Sequence, residues 1–321
     1  LLLHQVEMLS LLGRWPEEAP LFAQMVDLLA RQPTPALEAL LYLRRGISRF
    51  NQGENELAWA DVWQAHGQFV ALQDTQHSAQ ALYMAGRIKI GLGQNQAAHP
   101  LLTQALKLYQ QEGDLNGEAL CLSALAMLLL ELGQVTAPLT QLLPRALAIA
   151  ETQQDLAAQA RAAFVTAVAW NTIYYPEPMR RFAHKAHQLG QMLQDETMVN
   201  RAHYLLANAA IIEGEIEQGL ALWQQVHQTA QAQGDRWLEG WAIHIFGRLA
   251  LGRGDVAAAE QWLTASLALR LEMGEAQNQI NDRAWMGRLR LAQGQPALAL
   301  IHTTDAVTQL ETQREQLYVL D

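Results

Sequence analysis

The chain has 321 residues, of which 50% are hydrophobic and 17% charged, so it is a folded chain rather than an intrinsically disordered one. A formal net charge of −10 argues against general nucleic-acid binding, which depends on neutralising phosphates with Lys and Arg. One cysteine, Cys121, excludes an internal disulfide framework and fits a reducing, cytoplasmic setting.

In chain order, the first predicted unit is Leu1 to Arg31, with a short first helix. Leu1 to Leu12 carries His4, Gln5 and Glu7 without a basic start or cleavage site, so it is not a signal peptide. The second unit, Pro35 to Asp74, is a helix pair meeting at Gly53. The third, His77 to Asp114, shows the pattern best. Its first helix stops at Gly93, and Ala98, Leu101, Leu102, Ala105, Leu106 and Tyr109 then form one apolar helical stripe. Gly113 ends that helix and Asp114 is placed to cap the next.

The fourth unit contains the longest apolar run, Ala119 to Leu130. A membrane span needs about 20 such residues, so this is a buried repeat helix. Pro138 and Pro144 predict a late start or a kink in its second helix. The fifth unit reads Trp170 to Pro178 where a turn glycine belongs. That turn is expected to hold an extra residue, as an aromatic-packed turn or as a contact site or bend. Units six to eight return to register, and Thr312 to Asp321 is expected to begin another first helix carrying Leu317, Tyr318 and Leu320.

The turn glycines keep a period of 40 residues at Gly13, Gly53, Gly93 and Gly133, and again at Gly214, Gly254 and Gly294. Acidic residues keep the same beat at Asp74, Asp114, Asp155, Asp195, Asp235 and Glu275. A small residue recurs inside each first helix (Gly46, Gly86, Ala126, Ala167, Ala207, Gly247, Gly287), with a second series twelve positions on (Ala58, Ala98, Gly219, Ala259, Ala299). Glycine inside a helix costs roughly 1 kcal/mol against alanine, so these positions mark where paired helices cross. Leucine there should overpack, and alanine should be neutral or stabilising.

The segments Ala85-Gly86…Ala98…Leu102…Ala105 and Phe246-Gly247…Ala259…Leu263 resemble the tetratricopeptide repeat family, over nearly the whole chain. The period is longer than that family's usual one of about 34 residues, and the closing proline is absent. Longer repeats of this kind resemble those of kinesin light chain and of the sensor regions of bacterial signalling ATPases and transcription activators. The resemblance implies an all-α, right-handed α-solenoid of about eight antiparallel helix hairpins. Residues 1–321 would form a single repeat domain excised from a longer multidomain chain.

Candidate chemistry is sparse. His184 and His187 share a helix face with Arg180 and Gln191, not with a third metal ligand. Cys121 sits between Leu120 and Leu122, without a base. Gly91-Leu92-Gly93 lacks the GK[ST] of a phosphate loop, and Gly252-Arg253-Gly254-Asp255 coincides with a repeat turn. The sequence therefore predicts no enzyme, no metal site and no cofactor.

Family geometry places three first-helix positions on the concave side, and in the later units these are basic, aromatic and amide-bearing. Arg161, Arg201, Tyr204, Asn208, Trp241, His244, Arg248, Asn281 and Arg288 are the expected groove, with the early units presenting an apolar one. Arginine offers a planar fork of donors to carboxylates, and Trp and Tyr give rigid apolar contact. The expected function is a protein-interaction scaffold holding a protein or peptide, acidic by preference, or a neighbouring domain. The alternative is an effector-sensing module of a multidomain regulator. Neither nucleic acid nor membrane is an expected partner.

Overall fold

The computed structural model describes residues 1–12 and 14–315, so Gly13 and residues 316–321, including Leu317, Tyr318 and Leu320, lie outside the described residues. Among the described residues there are sixteen α-helices and no strand. They pair as α1 (Leu2–Leu11) with α2 (Ala19–Arg31), α3 (Pro35–Asn51) with α4 (Asn55–Ala71), and α5 (Thr75–Gly91) with α6 (Asn95–Glu112). Next come α7 (Leu115–Glu131) with α8 (Leu143–Thr152), α9 (Leu156–Thr172) with α10 (Pro176–Leu193), and α11 (Glu196–Ile212) with α12 (Ile216–Gln233). The last two pairs are α13 (Arg236–Gly252) with α14 (Val256–Met273) and α15 (Ala276–Ala292) with α16 (Pro296–Glu315). Each helix packs on the one before and after it in sequence, giving the right-handed α-solenoid of eight hairpins.

Backbone conformation sets this regularity. From Gly53 to Gly294 a residue with left-handed φ recurs every twenty positions, with a single interval of twenty-one, closing one helix and aiming the next. Asp74, Asp114, Asp155, Asp195 and Asp235 then accept from the third backbone N–H beyond them, at 2.9–3.1 Å, and so cap the first helices. Glu275 breaks that series: its carboxylate engages buried Arg270 and Asn278 instead.

The extra residue is not in the fifth turn. Ile173, Tyr174 and Tyr175 link α9 to α10 just as Leu92, Gly93 and Gln94 link α5 to α6. Gly133 to Gln154 spans 21 positions where Gly93 to Gly113 spans 20, so the insertion lies in the fourth unit's second helix. A π-helical turn at Pro138–Leu142 absorbs it, entering α8 directly. A π turn is how a helix accommodates one surplus residue without losing its direction.

The end of the chain also departs from expectation. Position 314, where the beat calls for a left-handed residue, is Arg, and α16 runs on through Glu315 instead of breaking before Thr312. At the crossings the small residues pack as expected. A Cβ on Gly46 would lie 2.6 Å from Val62 Cγ2, and one on Gly247 would lie 2.7 Å from Leu263 Cγ. In unit six the roles exchange: Ala207 takes the first-helix position, and Gly219 faces its carbonyl oxygen, 2.8 Å from where a Cβ would stand.

The solenoid curls until its ends meet. Asn55 Nδ2 donates to the carbonyl oxygen of Met273 at 3.3 Å. A methyl group on Gly274 would touch Leu92, and one on Gly234 would touch Pro16, both at 3.6 Å. Early and late hairpins therefore face each other across a common interior. No helix among the described residues is long and apolar enough to cross a membrane.

Candidate functional site

The interior holds an inner cavity of about 320 Å³, walled by one face of each first helix from α5 to α15. Residues at helical spacing supply that face: Tyr83 and Arg87 on α5, Met127 and Glu131 on α7, Arg161, Phe164 and Val168 on α9, and Arg201, Tyr204 and Asn208 on α11. Trp237 and Trp241 on α13 and Asn278 and Asn281 on α15 complete it. An outer cavity of about 550 Å³ adjoins it and shares Asn171, Thr172, Asn208, Trp241 and Asn281.

All nine residues named from sequence line one or both of these adjoining cavities. Arg161, Arg201 and Tyr204 lie in the inner part, His244, Arg248 and Arg288 in the outer, and Asn208, Trp241 and Asn281 in both. Their availability differs. His244 is only 3% exposed and its Nδ1 meets Asp282, whose other oxygen accepts from Ser266 Oγ at 2.8 Å. The aspartate lies between serine and histidine, so the three form a packing network without a nucleophile–base pair. Asn208 is likewise engaged, donating to Asn171 Oδ1 at 3.2 Å and accepting from Trp223 Nε1 at 3.1 Å. Arg201 reaches the buried Asp235 at 3.4 Å and sits over the Trp237 ring.

Arg87 and Arg161 are different. No carboxylate lies within ion-pairing distance of either among the described residues. Arg87 stacks on Phe50 and Tyr83, with its Cζ 4.9 and 5.6 Å from the ring centroids. Burial pushes its pKa down to about 10, and repulsion from Arg161 and Arg201 adds to this. Three guanidinium groups thus crowd one site, where Asp235 pairs with Arg201 and Asp195 lies within electrostatic reach of Arg161 and Arg201. Arg201 Nε, Arg248 Nε and Trp241 Nε1 are buried donors with no partner. On another part of the wall, Glu131 is held protonated up to about pH 7 by burial, with Glu275 contributing.

Arg87 was within reach of sequence reasoning, since it follows Gly86 as Arg248 follows Gly247 and Arg288 follows Gly287. The expectation that early units form a separate apolar groove is overturned: Tyr83 and Arg87 stand in the same cavity as Arg161 and Arg201. The first helices α5, α7 and α9 stand side by side along the inner wall, which places them there. Glu131, Asn171 and Trp237 had no signal of their own in the sequence.

Cys121 is fully buried and its thiol pKa is raised by burial. His187 packs against His203 at a tilt, ring centroids 4.7 Å apart, and no cluster of three His, Cys, Asp or Glu among the described residues has metal-binding geometry. Arg253 pairs with Glu217, and Asp255 caps α14.

No family model matches the sequence, and no curated protein is similar to it. Solved structures of Rap proteins are similar in fold. A Rap protein complexed with Competence and Sporulation Factor gives a TM-score of 0.76 at 16% identity, covering 98% of this chain and 85% of that one. The Rap conjugation gene regulator of plasmid pLS20, in complex with the Phr* peptide, gives 0.70 at 13% identity, covering 98% and 95%. Aspartyl phosphate phosphatase F from Bacillus subtilis gives 0.61 at 15% identity, covering 88% and 73%. The likeness is one of fold. This chain has a tetratricopeptide-type helical-repeat architecture.

Proposed function

We propose that this protein is a binding module whose closed solenoid holds a carboxylate-bearing peptide segment. The observation that carries the reading is the pair Arg87 and Arg161: two guanidinium groups without carboxylate partners, facing an aromatic-lined interior. Arginine in a partly desolvated site binds carboxylate through paired, charge-assisted hydrogen bonds. Tyr83, Phe164, Trp237 and Trp241 supply rigid apolar contact, and Asn281 offers an amide for a peptide backbone, whereas Asn278 is held by Glu275. Local positive charge attracts such a ligand despite the net charge of −10. That a Rap regulator of similar fold was solved with the Phr* peptide supports the same reading.

A second reading is that the segment senses a small effector for an attached ATPase or DNA-binding domain. The enclosed interior, in place of an open groove, favours it. One experiment addresses both: the protein is incubated with a randomised hexapeptide pool and retained species are identified by mass spectrometry. Retention of acidic peptides, weakening with added salt, supports the first reading. Retention of neutral or basic peptides alone would defeat it.

A further inference from the structure

The outer cavity has no carboxylate in its wall. Arg248 on α13 and Arg288 on α15 both stack against Trp285, their Cζ atoms 4.8 and 4.4 Å from its ring centroid. Neither has a carboxylate partner among the described residues. A guanidinium held over an aromatic ring keeps its in-plane N–H donors available to an anion. Arg248 and Trp241 both line this cavity, and each has a buried N–H without an acceptor, Nε and Nε1 respectively. Burial, with a contribution from Arg288, lowers the Arg248 pKa, so two like charges are kept together against repulsion.

The rim carries a second, independent feature. In six within-hairpin turns the left-handed residue is glycine: Gly53, Gly93, Gly133, Gly214, Gly254 and Gly294. In the α9–α10 turn it is Tyr174, at φ 56°. Bulky side chains rarely adopt that conformation, and glycine would serve the turn without strain. Tyr174 is nonetheless 68% exposed, at the edge of the outer cavity and within electrostatic reach of Arg248. Gln73, Gln154 and Gln194 hold a similar φ in the turns between hairpins, but among the described turns within hairpins Tyr174 alone carries a side chain at this position.

We infer that the outer cavity is a second anion locus, separate from Arg87 and Arg161, which takes a carboxylate or phosphoryl group through Arg248, Arg288 and Trp241 Nε1 beneath the Tyr174 rim. Resting on the peptide reading, it makes the preferred ligand doubly anionic, one group in each cavity and the shared asparagines between them. The locus itself needs no peptide, which makes the two ideas separable.

Calorimetry with inorganic pyrophosphate and with tricarballylate tests the locus directly. Wild-type protein should take two equivalents of at least one probe, and Arg248→Gln/Arg288→Gln should lose one of them by about 10-fold or more in affinity. The preferred probe tells phosphoryl from carboxylate. A single equivalent in the wild type, or a second equivalent indifferent to the double substitution, overturns the locus. Tyr174→Gly should raise the melting temperature by about 2 °C while weakening the outer equivalent, a combination that a purely structural tyrosine would not give. The hexapeptide pool separates the two claims. If the wild type selects peptides with two acidic groups and the Arg248/Arg288 variant requires only one, both stand. If the variant's selection is unchanged, the locus fails and the peptide reading survives. If no peptide is retained but the second pyrophosphate or tricarballylate equivalent is lost in the variant, the peptide reading fails and the locus survives.

Discussion

Asn55 and Met273, 218 positions apart, are joined by a hydrogen bond from the asparagine Nδ2 to the methionine carbonyl oxygen. It fastens the second hairpin to the seventh and turns a spring-like array into a closed one. Solenoid stability is ordinarily a sum over neighbours, so a contact of this span is outside the usual scheme. Loss of one such bond costs about 1 kcal/mol. Asn55→Ala should therefore leave the helical circular dichroism intact while increasing the maximum dimension seen by small-angle X-ray scattering. An unchanged scattering profile would mean that the curl is fixed by neighbour packing alone.

At Gly86 the packing reverses the sequence expectation that alanine would be neutral or stabilising. A Cβ at Gly86 would stand 2.6 Å from both Cγ and Cδ2 of Leu102, which is itself fully buried. Gly86→Ala should thus lower stability by about 1 kcal/mol, overlap outweighing the helix-propensity gain, and Gly86→Leu should lower it by roughly 1–3 kcal/mol. Gly67, in α4, has nothing within 4 Å of a Cβ and serves as the control. Gly67→Ala should gain up to about 1 kcal/mol. Urea midpoints for the three variants decide the matter, and equal behaviour of Gly86→Ala and Gly67→Ala would refute the crossing.

Much of this architecture was legible because each repeat states it locally. Gly93 and Gly113 mark left-handed turns, Asp114 caps a helix, and Gly86 with Ala98 marks a crossing. The surplus residue was misplaced because the missing glycine at Tyr174 looked like an insertion, whereas a π turn leaves no mark on the turn pattern. The site was half legible. Helical spacing found the wall residues but could not tell a side chain facing the cavity from one held by a neighbour, as His244 is by Asp282. The curvature that sets Arg87 on α5 near Arg161 on α9, two hairpins on, and the closure that brings Met273 to Asn55, are summed over successive hairpins, and no single repeat encodes them.

Glu18 makes stability depend on pH. It is fully buried between the first and second hairpins, its carboxyl oxygens have no partner, and burial outweighs the nearby Ser48 and Ser10 hydroxyls to raise its pKa from 4.5 to about 7. Between those values the folded protein keeps a proton that the unfolded chain has released. Stability therefore falls as pH rises through this window, by up to about 3 kcal/mol from this group. Glu18→Gln should be flatter from pH 4.5 to 7 and more stable than wild type at pH 8. Denaturant midpoints measured across that range would show it, and parallel curves for the two proteins would count against a buried, unpartnered carboxyl.

The arginines of the inner cavity should separate binding from folding. Arg201 holds Asp235, which also caps α13 through the Leu238 N–H, so charge reversal at Arg201 sets two carboxylates together at a helix start. Removing one partner of a buried ion pair costs about 3–5 kcal/mol, so Arg201→Glu should damage the fold as well as any ligand contact. Arg87 and Arg161 have no such duty. Arg87→Gln/Arg161→Gln should keep the melting temperature within a few degrees or raise it, because mutual repulsion among the three guanidinium groups is relieved. The same variant should lose retention of acidic hexapeptides by about 10-fold or more, and the wild type's retention should weaken as salt rises. Arg87→Lys/Arg161→Lys keeps the charge but not the paired donors, and should recover only part of the binding. Retention unchanged in the glutamine variant would remove these two residues from the site, while full recovery by lysine would replace paired hydrogen bonding with charge alone.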